Sequence, residues 1–246
     1  MVLAKSEPKI SLEQHIDDCL HICCQLKEAL PDITVRYGME FWKALRTAII
    51  LHDTGKSHVE FQKYLLGKNN EWYHQRHEMF SVYFAQTSDS SDILGSGGLL
   101  AILGHHKSLK DLYDFIDKNY TKDEWCLEDD GLDYNDECKK LNSPFVWNLM
   151  KQYDIEQKTH CPINLKKIIK SYIRNAKGLL HEQTIENILL VGALKQCDHL
   201  ASAGIQKINC IDSSDFAFLD RITFYDHQKL AGAKEGNVIL TAPTGT

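Results

Sequence analysis

A polar dipeptide at the end of an apolar stripe is the strongest constraint on how this chain can fold. Phe41, Leu45, Ala48 and Ile49 recur at helical spacing and run into His52-Asp53, so the buried face of one helix carries a histidine and a carboxylate toward the interior. Burying both is costly unless something binds them, and a metal ion satisfies imidazole and carboxylate together. His15, His77, His105-His106 and Asp198 also lie on or beside apolar segments, which supplies enough nitrogen and oxygen donors for two metals.

The segments around these residues read as helices. Ser11 and Gln14 form a capping-box signature ahead of Ile16, Leu20, Cys23 and Leu26, which predicts a first helix running to Leu30 with His15 in its first turn. A second helix is expected from about Glu40 to His52, with Gly55 as the glycine just beyond its C-terminus. Met79, Phe80, Tyr83 and Phe84 continue a third behind His77, and Leu99 to Leu103 form a fourth that ends at Gly104-His105-His106. A further helix is expected from Gln183 to Ala203, with Val191, Leu194, Asp198 and Ala201 on one face. No strand alternation is evident before residue 235, so the body reads as all-α.

Two stretches differ in character. The acids from Asp123 to Glu137 crowd around Gly131 without the order of a calcium loop, and read as a solvated insertion or lid. Leu165 to Lys177 alternate into an amphipathic helix whose polar face, with Lys166, Lys170 and Arg174, is a candidate track for a nucleic-acid backbone. The net charge of −6 rules out a uniformly basic coat, so any polyanion is held locally. The eight cysteines include no Cys-x-x-Cys pair and read as reduced and structural. The apolar runs are too short to span a bilayer and no hydrophobic signal core opens the chain, so no membrane partner and a cytoplasmic location are expected.

This donor set suits phosphodiester hydrolysis, which needs an activated water and neutralised phosphoryl oxygens, both supplied by two metals about 3.5–4 Å apart. Asp53 is the natural bridging carboxylate, with His15, His52 and Asp198 completing one metal and His77, His105 and His106 the other. Mixed imidazole and carboxylate ligation favours two divalent transition-metal ions (manganese, iron, cobalt or nickel), with magnesium possible. Lys56, three residues on, is a candidate electrostatic stabiliser of the scissile phosphate, and Ser202 a candidate to orient Asp198 one helical turn away. His21, His58, His74, His160, His181, His199 and His227 lack this context and read as surface or structural.

The order His52-Asp53-Thr54-Gly55-Lys56, His77-Glu78, Gly104-His105-His106 and Asp198-His199-Leu200-Ala201-Ser202 resembles the HD nuclease domain of the CRISPR-associated helicase-nuclease of type I systems. Tyr225-Asp226-His227-Gln228 and Ala242-Pro243-Thr244-Gly245-Thr246 look like the glutamine motif and the start of the Walker A loop of a superfamily 2 helicase. The resemblance implies an HD helical bundle with a dinuclear metal site over residues 1–220 and the beginning of a helicase domain over 221–246. It implies metal-dependent cleavage of single-stranded DNA in antiviral defence, with metal roles for His15, His52, Asp53, His77, His105, His106 and Asp198. Partners follow from it: single-stranded DNA, a Cascade-type surveillance complex and a phage anti-CRISPR inhibitor. ATP would belong to the helicase part, of which Pro243, Thr244 and Gly245 are an incomplete nucleotide-binding loop ending before the Gly-Lys-Ser/Thr portion. The other readings are a nucleotide phosphohydrolase of the wider HD superfamily and a non-catalytic recruitment module.

Overall fold

Ser11 starts the first long helix as the sequence predicts: its hydroxyl accepts from the Gln14 backbone N–H, and α1 runs over Leu12–Ala29. The buried face of α1 is Leu12, His15, Ile16, Cys19, Ile22, Cys23 and Leu26, a helical stripe in which one histidine stands among apolar neighbours. The computed structural model describes residues 1–72, 76–106, 134–158 and 183–208, together with 223, 226, 229, 230 and 233.

The helix that carries His52 is longer than its periodicity suggests. Pro31 opens α2 (Pro31–Leu51), and the backbone breaks at Gly38, whose φ of 72° is a left-handed conformation that glycine adopts without a Cβ clash. The Trp42 indole N–H donates to Thr34 Oγ1 at 2.8 Å and pins the two halves across that break. Beyond it Phe41, Leu45, Ala48 and Ile49 are fully buried, each large side chain contributing about 1.5–3 kcal/mol relative to exposure. The remaining helices are α3 (Val59–Leu65), α4 (His77–Thr87), α5 (Ser91–Gly104), α6 (Tyr134–Glu137), α7 (Ser143–Met150) and α8 (Gln183–Ser202). Helix α2 packs against α1, α5 and α8, and α5 packs in turn against α4 and α8, so the end of α2 lies at the middle of the bundle.

The described body is mostly helical, as the periodicity predicts, and departs from that reading in three details. First, β1 (Leu3–Lys5) pairs antiparallel with β2 (Ile10–Ser11). This hairpin is five residues of strand with buried Val2, Leu3 and Ala4, too short to show alternation. Its job is local: the Gln62 amide donates to Leu3 O and Lys56 O, and Lys5 Nζ donates to Ser202 O at 3.1 Å. Second, Gly55 is not a helix-terminating glycine, since Thr54–Ser57 forms a 3₁₀ turn and Gly55 serves a close approach described below. Third, α3 and α7 are helices that the periodicity did not single out.

Residues 138–142 return to the turn after Asp53. Leu141 bridges His58, and the Asn142 N–H donates to Ser57 O at 3.2 Å. His58 is fully buried; its Nδ1 accepts from the Glu60 N–H and its Nε2 lies 3.2 Å from Glu137 Oε2, so it is structural as expected.

The chain divides into compact units of Met1–Ile208 and Asn209–Thr246. Among the described residues no helix is long and apolar enough to cross a membrane. The basic segment with Lys166, Lys170 and Arg174, most of the acidic stretch, the β-prone run from Asn237, the loop residues Pro243, Thr244 and Gly245, and Tyr225, His227, Gln228, His74, His160 and His181 lie outside the described residues.

Candidate metal centre

Five helices or their ends deliver the candidate donors to one place. His15 comes from the first turn of α1, His52 and Asp53 from the end of α2, His77 from the start of α4, His105 and His106 from the end of α5, and Asp198 from the last turn of α8. The sequence-predicted set is thus assembled in space. His15, His52, Asp53, His77, His105 and Asp198 are buried, while His106 is exposed.

Asp53 stands at the centre with its two oxygens facing different neighbours. Its Oδ1 lies 3.0 Å from His77 Nε2 and 3.8 Å from His105 Nε2. Its Oδ2 lies 3.3 Å from His15 Nε2, 3.6 Å from His52 Nε2 and 2.6 Å from Lys56 Nζ. Asp198 Oδ1 joins the second set, at 3.2 Å from His15 Nε2 and 4.0 Å from His52 Nε2. His106 Nε2 lies 3.2 Å from His77 Nε2 at the outer edge of the first. Donor atoms of Asp53, His77, His105 and His106 all fall within 4.8 Å of one another, as do those of His52, His105 and Asp198. His105 therefore belongs to both neighbourhoods, whereas its place beside His106 in the sequence assigns it to one.

The helix ends fix which nitrogen each imidazole presents. His52 Nδ1–H donates to Ile49 O at 2.6 Å and His105 Nδ1–H to Ile102 O at 2.7 Å, each the carbonyl three residues earlier. A carbonyl only accepts, so in the neutral rings both Nε2 atoms are left with lone pairs. These Nε2 atoms and both Asp53 oxygens are buried without a hydrogen bond of good geometry. Two imidazole lone pairs without a hydrogen-bond partner that converge on a buried carboxylate are what a divalent ion would satisfy, and the residues fit such an ion.

The charges agree. Burial opposes ionisation of Asp53, yet Lys56 and the surrounding imidazoles hold it well below the usual carboxylate range. Burial likewise opposes ionisation of Asp198, which hydrogen bonding to His15 and the nearby His52 keep low. Burial drives His52 down to about 4, against the pull of Asp53, so its ring is neutral at physiological pH, the form in which an imidazole can bind a metal. His106 is exposed at its outer edge, but its ring packs against His77 and His105, and that partial desolvation together with the two imidazoles pushes it down to about 3. His15 behaves oppositely: burial disfavours its charge, but hydrogen bonds with Asp198 and Asp53 raise it. It holds a proton between two carboxylates where a cation would sit equally well.

Supporting contacts complete the centre. Ser202 Oγ donates to Asp198 Oδ1 at 3.2 Å, the orienting contact expected from the spacing. Glu78, to which the sequence reading gave no separate role, is buried with Oε2 3.7 Å from His77 Nδ1, and Arg76 pairs with its other oxygen. Burial raises the Glu78 carboxyl, but His77 and Arg76 bring it down to about 2, so it is an anion positioned to orient the imidazole. The sequence signal for it was its place directly after His77 on a buried helix start.

Gly55 holds the two halves of the centre together. Its N–H donates to Ser81 Oγ at 2.9 Å, and Ser81 Oγ donates in turn to His77 O. A Cβ on Gly55 would lie 1.9 Å from His77 O and 2.8 Å from Ser81 N, so only glycine lets the turn after Asp53 seat against the first turn of α4.

No family model matches the chain, and no curated protein matches it. Among solved structures the chain is similar to the CRISPR-associated Cas3 HD domain protein from Methanocaldococcus jannaschii, at 22% identity and a TM-score of 0.40, over 80% of this chain and 98% of that one.

Proposed function

We propose that this chain is a metal-dependent phosphodiesterase of the HD type, and that it cleaves single-stranded DNA as the nuclease of a CRISPR type I helicase-nuclease, with two divalent ions. The observation that carries the reading is Asp53, whose Oδ1 and Oδ2 face separate groups of histidine nitrogens, the arrangement a bridging carboxylate requires. The motif order described above supports the assignment of substrate.

Bound divalent ions supply an activated water and charge neutralisation on the phosphoryl oxygens. The chain's own residues do the rest. His52, His105 and His77 hold their Nε2 atoms inward by bonds to carbonyls or to the neighbourhood of Glu78, so the donor geometry is set before anything binds. His15 and Asp198 complete the set around His52 and Asp53 Oδ2, and His106 at the exposed edge of the other set is the donor nearest an incoming strand. Lys56 Nζ, 13% exposed, lies between Asp53 and the surface, where a fixed positive charge can meet a non-bridging phosphate oxygen.

By the same reading the chain works in the cytoplasm with a Cascade-type surveillance complex and is the target of anti-CRISPR inhibitors. Residues 221–246 carry the glutamine motif and part of the Walker A loop of a superfamily 2 helicase, the activity that would use ATP, and Lys166, Lys170 and Arg174 guide the strand. The test combines elemental analysis with two substrates. The purified chain should retain close to two equivalents of transition metal, nick circular single-stranded DNA with manganese or nickel, and lose more than ~10²-fold of that activity on Asp53→Ala. Phosphate release from free nucleotides with intact circles would replace the nuclease by a nucleotide phosphohydrolase. Full nuclease activity in Asp53→Ala would refute the bridged mechanism.

A further inference from the structure

One buried thiol faces the centre. Cys19 stands one helical turn after His15 on the same face of α1, is fully buried, and its Sγ lies 3.7 Å from His15 Nε2. Donor atoms of His15, Cys19 and His52 all lie within 4.8 Å of one another. His52 Nε2, completely buried and without a hydrogen-bond partner, aims into that group. A cysteine that merely fills an apolar core touches carbon. Cys19 instead contacts the imidazole nitrogen that also lies 3.2 Å from Asp198 and 3.3 Å from Asp53.

We propose that Cys19 is a ligand to the metal that His15 and His52 hold, and that it sets the metal preference of this half of the centre. The inference rests on the reading of a metal centre above and goes beyond it, since the motif contains no sulfur. Coordination releases the thiol proton to solvent and places a thiolate beside two imidazoles and carboxylate oxygen. Thiolate is a soft ligand, so this position selects zinc, cobalt or iron over magnesium and manganese, whereas the neighbourhood of His77 and His106, with no described sulfur in its group, stays permissive. The two halves of the centre are therefore chemically unequal, one tight and sulfur-bearing, the other exchangeable.

The experiment uses the full chain, stripped with chelator and titrated anaerobically with one equivalent of cobalt(II). Wild type should show ligand-field bands in the visible and a thiolate-to-cobalt charge-transfer band in the near ultraviolet. Cys19→Ser should lose the charge-transfer band, keep the ligand-field bands and bind cobalt ~10–100-fold more weakly, the scale of losing one supporting group. Cys23→Ser, one turn further along α1, should behave as wild type. Ligand-field bands without charge transfer in wild type, or charge transfer that persists in Cys19→Ser, would overturn the proposal and leave the metal centre standing. Absence of any ordered cobalt spectrum in wild type would overturn both. X-ray absorption of the wild-type chain loaded with one equivalent of zinc gives a reading that depends on no variant. A sulfur shell at about 2.3 Å supports the proposal and a shell of nitrogen and oxygen alone refutes it.

Discussion

Replacing Gly55 by alanine tests whether the metal centre depends on one backbone contact rather than on its ligands alone. The added Cβ would sit 1.9 Å from His77 O, whereas a carbon rests about 3.3 Å from a carbonyl oxygen, so the turn and α4 must separate by about 1.4 Å. That movement breaks the Gly55–Ser81 hydrogen bond, worth about 1 kcal/mol, and adds overpacking strain of about 1–3 kcal/mol. For a folded unit of about 200 residues each kcal/mol moves Tm by about 2–4 °C, so a fall on the order of 10 °C is expected by calorimetry of the metal-free chain. The same separation pulls His77 Nε2 away from Asp53 Oδ1, now 3.0 Å apart, and a displacement of ~1 Å at reacting groups costs roughly 10²-fold in rate. Ser81→Ala removes the hydrogen bond and adds no atom, so it should cost only about 1 kcal/mol and preserve metal content. If Gly55→Ala matches wild type in Tm and in metal bound per chain, the close approach is not what positions the two halves, and the reasoning fails.

Three further outcomes follow from the same geometry. Lys56→Met should retain metal, because Lys56 contributes no ligand atom, yet lower nuclease turnover by ~10²–10³-fold; loss of metal content by elemental analysis would show it to be structural instead. Chelation should lower Tm, since ions at 100-fold over their dissociation constant add about 2.7 kcal/mol to the folded state, or roughly 8 °C here; an unchanged melt refutes a resident ion. His52 is depressed to about 4 when folded, so the unfolded chain binds its proton more readily between that value and about 6.5, and stability falls as pH drops through this window. His15 and His105 are raised and act in the opposite sense, stabilising below about 6.5, so the measurement is the difference between wild type and His52→Gln in urea melts from pH 4 to 7. A difference that does not change with pH contradicts the assignment.

Much of the centre was legible because its ligands mark helix ends, where apolar periodicity stops and a polar residue remains on the buried side. His52, His105 and Asp198 each carry that signature, and the structure places all three in one pocket. What escaped was set by contacts distant in sequence or by features with no period. Gly55 looks like a helix stop, and its reason lies in His77 O and Ser81 N, more than twenty residues away. Glu78 and Cys19 read as ordinary members of buried helices, because their contacts are with neighbours in the same segment, His77 and Arg76 for one and His15 for the other, at spacings that any packed helix also shows. The β1–β2 hairpin is too brief for alternation, and its anchoring by Gln62 depends on one amide. The break at Gly38 was hidden because Thr34 and Trp42 continue the helix on either side of it.

The strap of residues 138–142 onto Ser57 and His58 has a consequence for how such a chain can vary over evolution. His105 and His106 precede residues 107–133, and Leu141 and Asn142, which follow them, are fastened to the turn beside Lys56. Both attachments run through backbone groups, so they do not depend on which side chains the strap carries. Its exposed positions can therefore change over evolution while the turn beside Lys56 keeps its place and the donor atoms keep theirs.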